Sequence, residues 1–303
     1  MTWLGRVASA ALVPVHAAIG PRCLAAVERL LAGSSMMRTT SPRHAAVLLV
    51  AGDIPDTHTA ALCRLHDQVP PPRATVYWNG AAGGAERELR ARWRAICLRF
   101  DGEGEADCAA DEPPNAWRGK GDHGQGGEGM MGGVPYGRPM AMTGEDIRDG
   151  LRLDRYSARV GPFAPTLPPG LVLGLTLQGD VIVACDVLAL PFVQAREADA
   201  PAYCAARMLR LMGLEGAADG LIVGNRLRAF GVGHALPGGL GRLENQGDAR
   251  VRLATWLGGG VTGGDARGIF RSLVGLEWSE AMLVLASVTP SALHRAAAEA
   301  QVA

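Results

Sequence analysis

A continuous run of aliphatic residues, Ala45 to Ala51, constrains the fold of this chain more than any other feature. Pro42 precedes the run and Gly52 follows it. A short apolar segment without polar alternation is typical of a strand that is buried on both faces, and such strands belong to parallel sheets. The sequence therefore predicts an α/β sheet near the start of the chain.

The residues after this strand complete a βαβ unit. Asp56 is in position to cap a helix that runs from Thr57 to about Gln68, and the next strand is Ala74 to Trp78. Ligands of parallel α/β sheets bind at the carboxyl ends of the strands. The predicted binding loops are Gly52 to Pro55 and Asn79 to Gly84.

Composition narrows the functional classes. The chain has 303 residues, 48% of them apolar, and a formal net charge of zero. This length suits two medium-sized domains, and the zero net charge gives no support to nucleic-acid binding. The six cysteines form no CxxC pair, so we expect reduced thiols, no disulfide and a cytoplasmic protein without direct membrane insertion. Ala8 to Val15 is compatible with a short secretory signal, but also with a segment that packs on the first domain.

The second half has a different pattern. Leu171 to Leu177 and Val181 to Val187 alternate around the turn residues Gln178 to Asp180, which predicts a β-hairpin. We expect an α+β domain at 148–303, a glycine-rich linker at 115–147 and the α/β domain at 1–114. The other predicted elements are helices at Cys23 to Ala32, Glu86 to Ile96, Ala200 to Met212, Leu240 to Leu257 and Pro290 to Ala300, and a strand at Ile96 to Phe100.

The first half resembles a known redox subunit. Ser41 to Gly52 followed by Gln68 to Tyr77 is similar to the cluster-binding 20-kDa-type small subunit of complex I and of membrane-bound [NiFe] hydrogenases. The resemblance implies a flavodoxin-like sheet and a [4Fe-4S] cluster held by four cysteines. Only Cys23 stands at a matching cysteine position here. Ala81 and Glu112 occupy two other ligand positions, so the resemblance implies a degenerate site from which the cluster is absent.

The second half resembles the partner of that subunit. Val160 to Pro165 and the hairpin that follows are similar to the start of the 49-kDa-type large subunit. In that family a histidine of this segment lies at the quinone headgroup or near the metal site. Ala164 takes its place, and the nickel-binding Cys-x-x-Cys pairs have no counterpart because Cys185 and Cys204 are isolated.

Two matches in tandem imply a fusion of the two subunits. We expect a component of a complex-I-like NADH-quinone oxidoreductase or hydrogenase-like assembly with degenerate redox sites. Its partners would be other subunits, with a possible quinone in the cleft between the domains and peripheral membrane association through those partners. The alternatives are a non-catalytic scaffold or assembly partner and a small-molecule binding module.

Two further patterns allow more than one interpretation. His123, with methionines nearby, could bind copper(I) or belong to a solvated linker. Gly80 to Gly84 could hold a phosphate on backbone amides, but it lacks the Lys-Ser/Thr of a Walker loop. We interpret this segment as the relic of a cluster loop.

Overall fold

The described part of the chain contains two sheets, one in each half. In this computed structural model, the described residues are 3–33, 35–81, 83–98, 105–108, 142–148, 150–165, 167–225, 231–232, 235–244, 246–262 and 266–302. The first sheet is parallel and the second is antiparallel. The α/β class predicted for the first half is thus confirmed.

The parallel sheet has four strands in the order β2-β1-β3-β4. Its central strands are β1 and β3, which pair over five residues from Val15 opposite Val47 to Ile19 opposite Ala51. The elements of this half are α1 (Trp3–Ser9), β1 (Val13–Ile19), α2 (Leu24–Leu31), β2 (Met36–Arg38), β3 (Val47–Ala51), α3 (Thr59–Gln68), β4 (Ala74–Trp78) and α4 (Ala85–Leu98).

Apolar side chains cover both faces of this sheet. Val27 and Leu31 of α2 and Leu89 of α4 pack on one face. Leu62 and Leu65 of α3 pack on the other. The uniformly apolar β3 follows from this arrangement, because both of its faces meet helices.

Three predictions for this half need correction. The segment Ala8 to Val15 leads into β1, a central strand, rather than merely packing on the domain. Asp56 opens a short 3-10 turn, and the α-helix begins only at Thr59. The strand expected at Ile96 to Phe100 is wrong, since α4 continues to Leu98. Trp93 and Ile96 remain on its apolar face and pack against the core.

The antiparallel sheet also has four strands, in chain order. The predicted hairpin is confirmed as β7 and β8, which turn at Gly179. Of the predicted linker, Met142–Thr143 pair with β6, and 109–141 lie outside the described residues. The elements are β5 (Met142–Thr143), β6 (Asp154–Val160), β7 (Val172–Gln178), β8 (Val181–Ala189), α5 (Pro201–Leu211), α6 (Glu215–Ile222), α7 (Ala249–Leu257), α8 (Ile269–Ser272), α9 (Trp278–Ala286) and α10 (Pro290–Val302).

Helices at the C-terminal end cover one face of this sheet. Leu173 and Leu175 of β7 share a core with Phe270 of α8, Leu285 of α9 and Leu293 of α10. The helix predicted from Leu240 is shorter than expected, because Asp248 caps α7 by accepting a hydrogen bond from the Val251 amide at 2.9 Å. The cap predicted at Thr289 is confirmed by its contact with the Ala292 amide.

The expectation of no disulfide is also wrong. Cys63 of α3 is bonded to Cys108, with the two Cα atoms 5.0 Å apart. The segment 105–108 lies along the edge strand β4, where the Thr75 amide donates to Glu105 Oε1 at 2.9 Å. Spacing could not show this pair, because the two cysteines are 45 positions apart in the sequence.

None of the helices in the described ranges is long and apolar enough to cross a membrane.

Candidate functional site

The loops at the carboxyl edge of the parallel sheet meet at one place. The loop after β1 carries Cys23, the loop after β3 begins at Gly52, and the loop after β4 contains Asn79 to Ala81. Cys23 Sγ lies 4.0 Å from the Asn79 carbonyl oxygen. The fold therefore brings together Cys23 and the loop of Ala81, two of the predicted site positions. The βαβ unit predicted from the sequence did not include β1, the strand that leads to Cys23.

The thiol of Cys23 is enclosed. Its residue is only 4% exposed. A Cβ atom added to Gly52 would lie 2.8 Å from this sulfur, and one added to Gly80 would lie 3.0 Å from it. Burial raises the pKa of the Cys23 thiol, and the nearby charge of Asp53 raises it further. This environment stabilises a neutral thiol rather than a thiolate.

The second half covers this edge through backbone contacts. The Arg22 amide donates to the Val193 carbonyl at 3.0 Å. The Gln194 side chain accepts from the Leu24 amide at 3.1 Å and donates to the Gly20 carbonyl at 3.3 Å. The loop that carries Cys23 is thus held at the contact between the two halves.

The donor set does not fit a [4Fe-4S] cluster. A cluster needs four converging ligands, usually thiolates, and Cys23 is the single thiol at this edge among the described residues. Across the same part of the chain, no group of three or more His, Cys, Asp or Glu side chains could hold a metal ion. Glu112 and His123 lie outside the described residues. Cys204 is buried, and burial raises the pKa of its thiol to about 11.

A cavity lies between the two halves and reaches Ala164. Its volume is about 110 Å³, and residues of both halves line it. Next to Ala164, Phe163 packs into the core on the α3 face of the parallel sheet. The cavity is smaller than the roughly 150 Å³ that accommodates benzene in a protein core, so a substituted quinone ring does not fit without rearrangement.

A buried ionic network forms one side of this cavity. Arg210 of α5 donates to Glu28 of α2 at 2.8 Å, and Arg38 lies 3.0 Å from the other oxygen of Glu28. Arg210 also donates to Glu215 and Asp219 of α6. Burial alone would raise the pKa of Glu28, but the two arginines outweigh burial and hold that pKa below its ordinary value. Glu28 and Arg210, whose side chains are each 12% exposed, thus join the two halves through opposite charges, whereas Glu215 and Asp219 are partly exposed.

Sequence reasoning missed this network. Glu28 and Arg210 are 182 residues apart, and each is part of an amphipathic helix in which a charged residue is usually solvated. The available signal was Glu28 beside Val27 and Leu31, on a short helix with several apolar positions. His16 was missed as well, because Pro14 and His16 obscured the strand that contains them.

Comparisons with known proteins give no match to this chain, whether to protein-family models, to curated proteins or to solved structures.

Proposed function

We propose that this chain is a component of a complex-I-like or [NiFe]-hydrogenase-like assembly, with small-subunit-like and large-subunit-like halves in one polypeptide and no redox cluster of its own. One observation carries the proposal. The Cys23 loop and the Ala164 loop, which the two resemblances assign to cluster and quinone, both lie at the contact between the halves. In the assemblies it resembles, the two subunits would meet at the corresponding place.

The topology of the first sheet supports the same ancestry. Its order β2-β1-β3-β4 agrees with the first four strands of the flavodoxin-like order. The Cys23 loop occupies the carboxyl edge, where ligands of such sheets bind. With Ala81 in place of a ligand and the Cys23 pKa raised, this edge supports a structural rather than an electron-transfer role.

Purification from the native host tests the proposal. Mild detergent extraction and native electrophoresis of a tagged full-length chain should give a stoichiometric complex with complex-I-like or hydrogenase-like subunits, identified by mass spectrometry. The isolated chain should remain free of iron after anaerobic reconstitution with iron and sulfide. A solitary monomer in the extract would contradict the assembly role, and about four iron atoms per chain with a cluster chromophore would contradict the absence of a cluster.

A scaffold or assembly factor is a second candidate, favoured by small side chains at two ligand positions, Ala81 and Ala164. It differs from a resident subunit in timing. A resident subunit stays in the mature complex, whereas an assembly factor is present only in incomplete complexes. Pulse labelling followed by native electrophoresis distinguishes these outcomes.

A further inference from the structure

The cavity between the halves contains polar atoms that lack partners. His16 is 2% exposed, and its Nε2 has no hydrogen-bond partner. Arg38 Nε, buried in the same cavity wall, also has none. Buried polar atoms are nearly always satisfied in native proteins, so two unpartnered polar atoms in the wall of one cavity indicate a site that could bind a polar ligand.

The hydrogen bonds of His16 define what its free nitrogen can do. His16 Nδ1 lies 3.1 Å from the Thr39 carbonyl oxygen, so Nδ1 carries the proton and donates it. Burial lowers the pKa of His16, and the charge of Arg38 lowers it too, against the opposing effect of Thr39. In the neutral ring, Nε2 is then an acceptor. A ligand group that meets it must be a donor.

Arg38 and Arg207 provide hydrogen-bond donors to the cavity, whereas His16 provides an acceptor. Arg207 of α5 donates to the carbonyl oxygens of Ala286 and Val288, and within the described residues no ion pair joins it to a carboxylate. Burial lowers the pKa of Arg207 and of Arg38, despite the nearby acidic groups. Both residues line the cavity. Arg207 is a cationic donor for which an anion is the natural partner, and Arg38, although its Nη2 is paired with Glu28, retains Nε as a donor.

Arg252 shows how this chain satisfies an arginine that needs no ligand. Its three guanidinium nitrogens all donate within the protein, at 3.1 Å to the Ser287 carbonyl, 2.8 Å to Gly247 and 2.6 Å to Gly241. It is 1% exposed. Arg38 differs, because its Nε has no hydrogen-bond partner, although its Nη2 lies 3.0 Å from Glu28.

We propose that the cavity binds a small hydroxycarboxylate, with the carboxylate held by Arg38 and Arg207 and the hydroxyl donating to His16 Nε2. The apolar part of the cavity wall, which includes Ile19, Phe163 and Ala164, would contact the carbon atoms. A volume of about 110 Å³ suits a small ligand of two or three carbons. This site does not depend on the proposed assembly role.

Calorimetric titration of the full-length chain tests the site with sodium glycolate as the probe. Sodium acetate lacks the hydroxyl, glycolamide lacks the charge, and sodium chloride controls for ionic strength. We expect saturable binding of glycolate, about ten-fold weaker binding of acetate because His16 stays unsatisfied, and no saturable signal from glycolamide or chloride. No saturable glycolate signal, or equal responses to glycolate and chloride, would overturn the proposal.

A steric variant places the ligand in this cavity. Ala164→Leu fills the volume without altering a charge, and it should lower glycolate affinity by about ten-fold or more. Ala95→Leu makes the same change at an exposed position of α4 and should leave affinity unchanged. Unchanged affinity in a folded Ala164→Leu protein would overturn the assignment. If that variant fails to fold, the ratio of glycolate to acetate affinity in the wild type decides.

Discussion

The carboxyl edge of the parallel sheet and the cavity between the halves, the two places to which the resemblance assigns redox chemistry, differ in how closely they are packed. At the edge, Gly52, Gly80 and a neutral thiol leave no room around the sulfur. At the cavity, Ala164 leaves space, and charged groups line another part of the wall. Close packing leaves no space at the first place, while a small side chain leaves space at the second.

The largest expected effect concerns the charges at the cavity. Glu28→Gln leaves Arg38 and Arg210 without their shared carboxylate, so we expect a loss of about 3–5 kcal/mol in the free energy of unfolding. Urea unfolding measures it. The matched control is Glu197→Gln, whose carboxylate is 49% exposed in its pair with Arg29, and it should cost about 1 kcal/mol or less. Equal costs would mean that the network is solvated rather than buried.

The second effect concerns the packing at the sheet edge. Gly52 has φ +81°, and a Cβ there would lie 2.8 Å from Cys23 Sγ and 3.1 Å from the Pro21 carbonyl. Gly83 has φ +85°, but a Cβ there would meet nothing within 4 Å. Both alanine variants incur about 1–2 kcal/mol of backbone strain. Gly52→Ala should cost about 1–3 kcal/mol more than Gly83→Ala in thermal or urea unfolding.

Similar losses in the two glycine variants would contradict the close packing around the thiol. That outcome would also reopen the edge as a ligand site, since space beside Cys23 would then exist.

The third effect is a pH dependence. The pKa of Glu28 is lowered in the folded chain, so its stabilisation is fully present above the unfolded pKa of about 4.3 and is lost as pH falls through the folded value. The stability difference between wild type and Glu28→Gln should therefore shrink below about pH 4. Urea unfolding between pH 3 and 7 measures this difference. A constant difference would contradict the lowered pKa.

The smallest effect is a rate difference at the sheet edge. Cys23 is buried with a raised pKa, whereas Cys97 near the end of α4 is partly exposed. Iodoacetamide at pH 8, followed by mass spectrometry, should modify Cys97 about ten-fold faster, because reaction at Cys23 requires local opening. Unfolding the chain in urea should abolish the difference in modification rate between the two cysteines. Faster modification of Cys23 would indicate an accessible thiolate.

Features with a strong local pattern could be predicted from the sequence. The apolar run of β3 and the alternating hairpin with its Gly179 turn each have a local hydrophobic pattern and residues that mark where the element ends. β1 was missed because Pro14 and His16 interrupt its pattern, and the fold satisfies His16 Nδ1 with Thr39, a residue of the segment after β2. The local sequence around His16 cannot reveal this hydrogen bond, because its partner follows a neighbouring strand.

The candidate sites were harder to predict from the sequence, because they depend on contacts between residues far apart in the chain. Cys23 and Ala81 could be placed by resemblance, but the pair of Glu28 with Arg210 joins helices from opposite halves. The extension of α4 through Ile96 likewise follows from packing against the core, not from its β-branched residue. Local propensity predicts secondary structure poorly wherever tertiary contacts determine it.

The tie between Gln194 and the loop of Cys23 has a consequence for how this chain can change over time. The hydrogen bonds of the Gln194 side chain join it to the main chain at Gly20 and Leu24. Substitutions within the loop can therefore accumulate while its position stays anchored. Such an anchor would let a later substitution introduce a new functional side chain at a position that is already fixed.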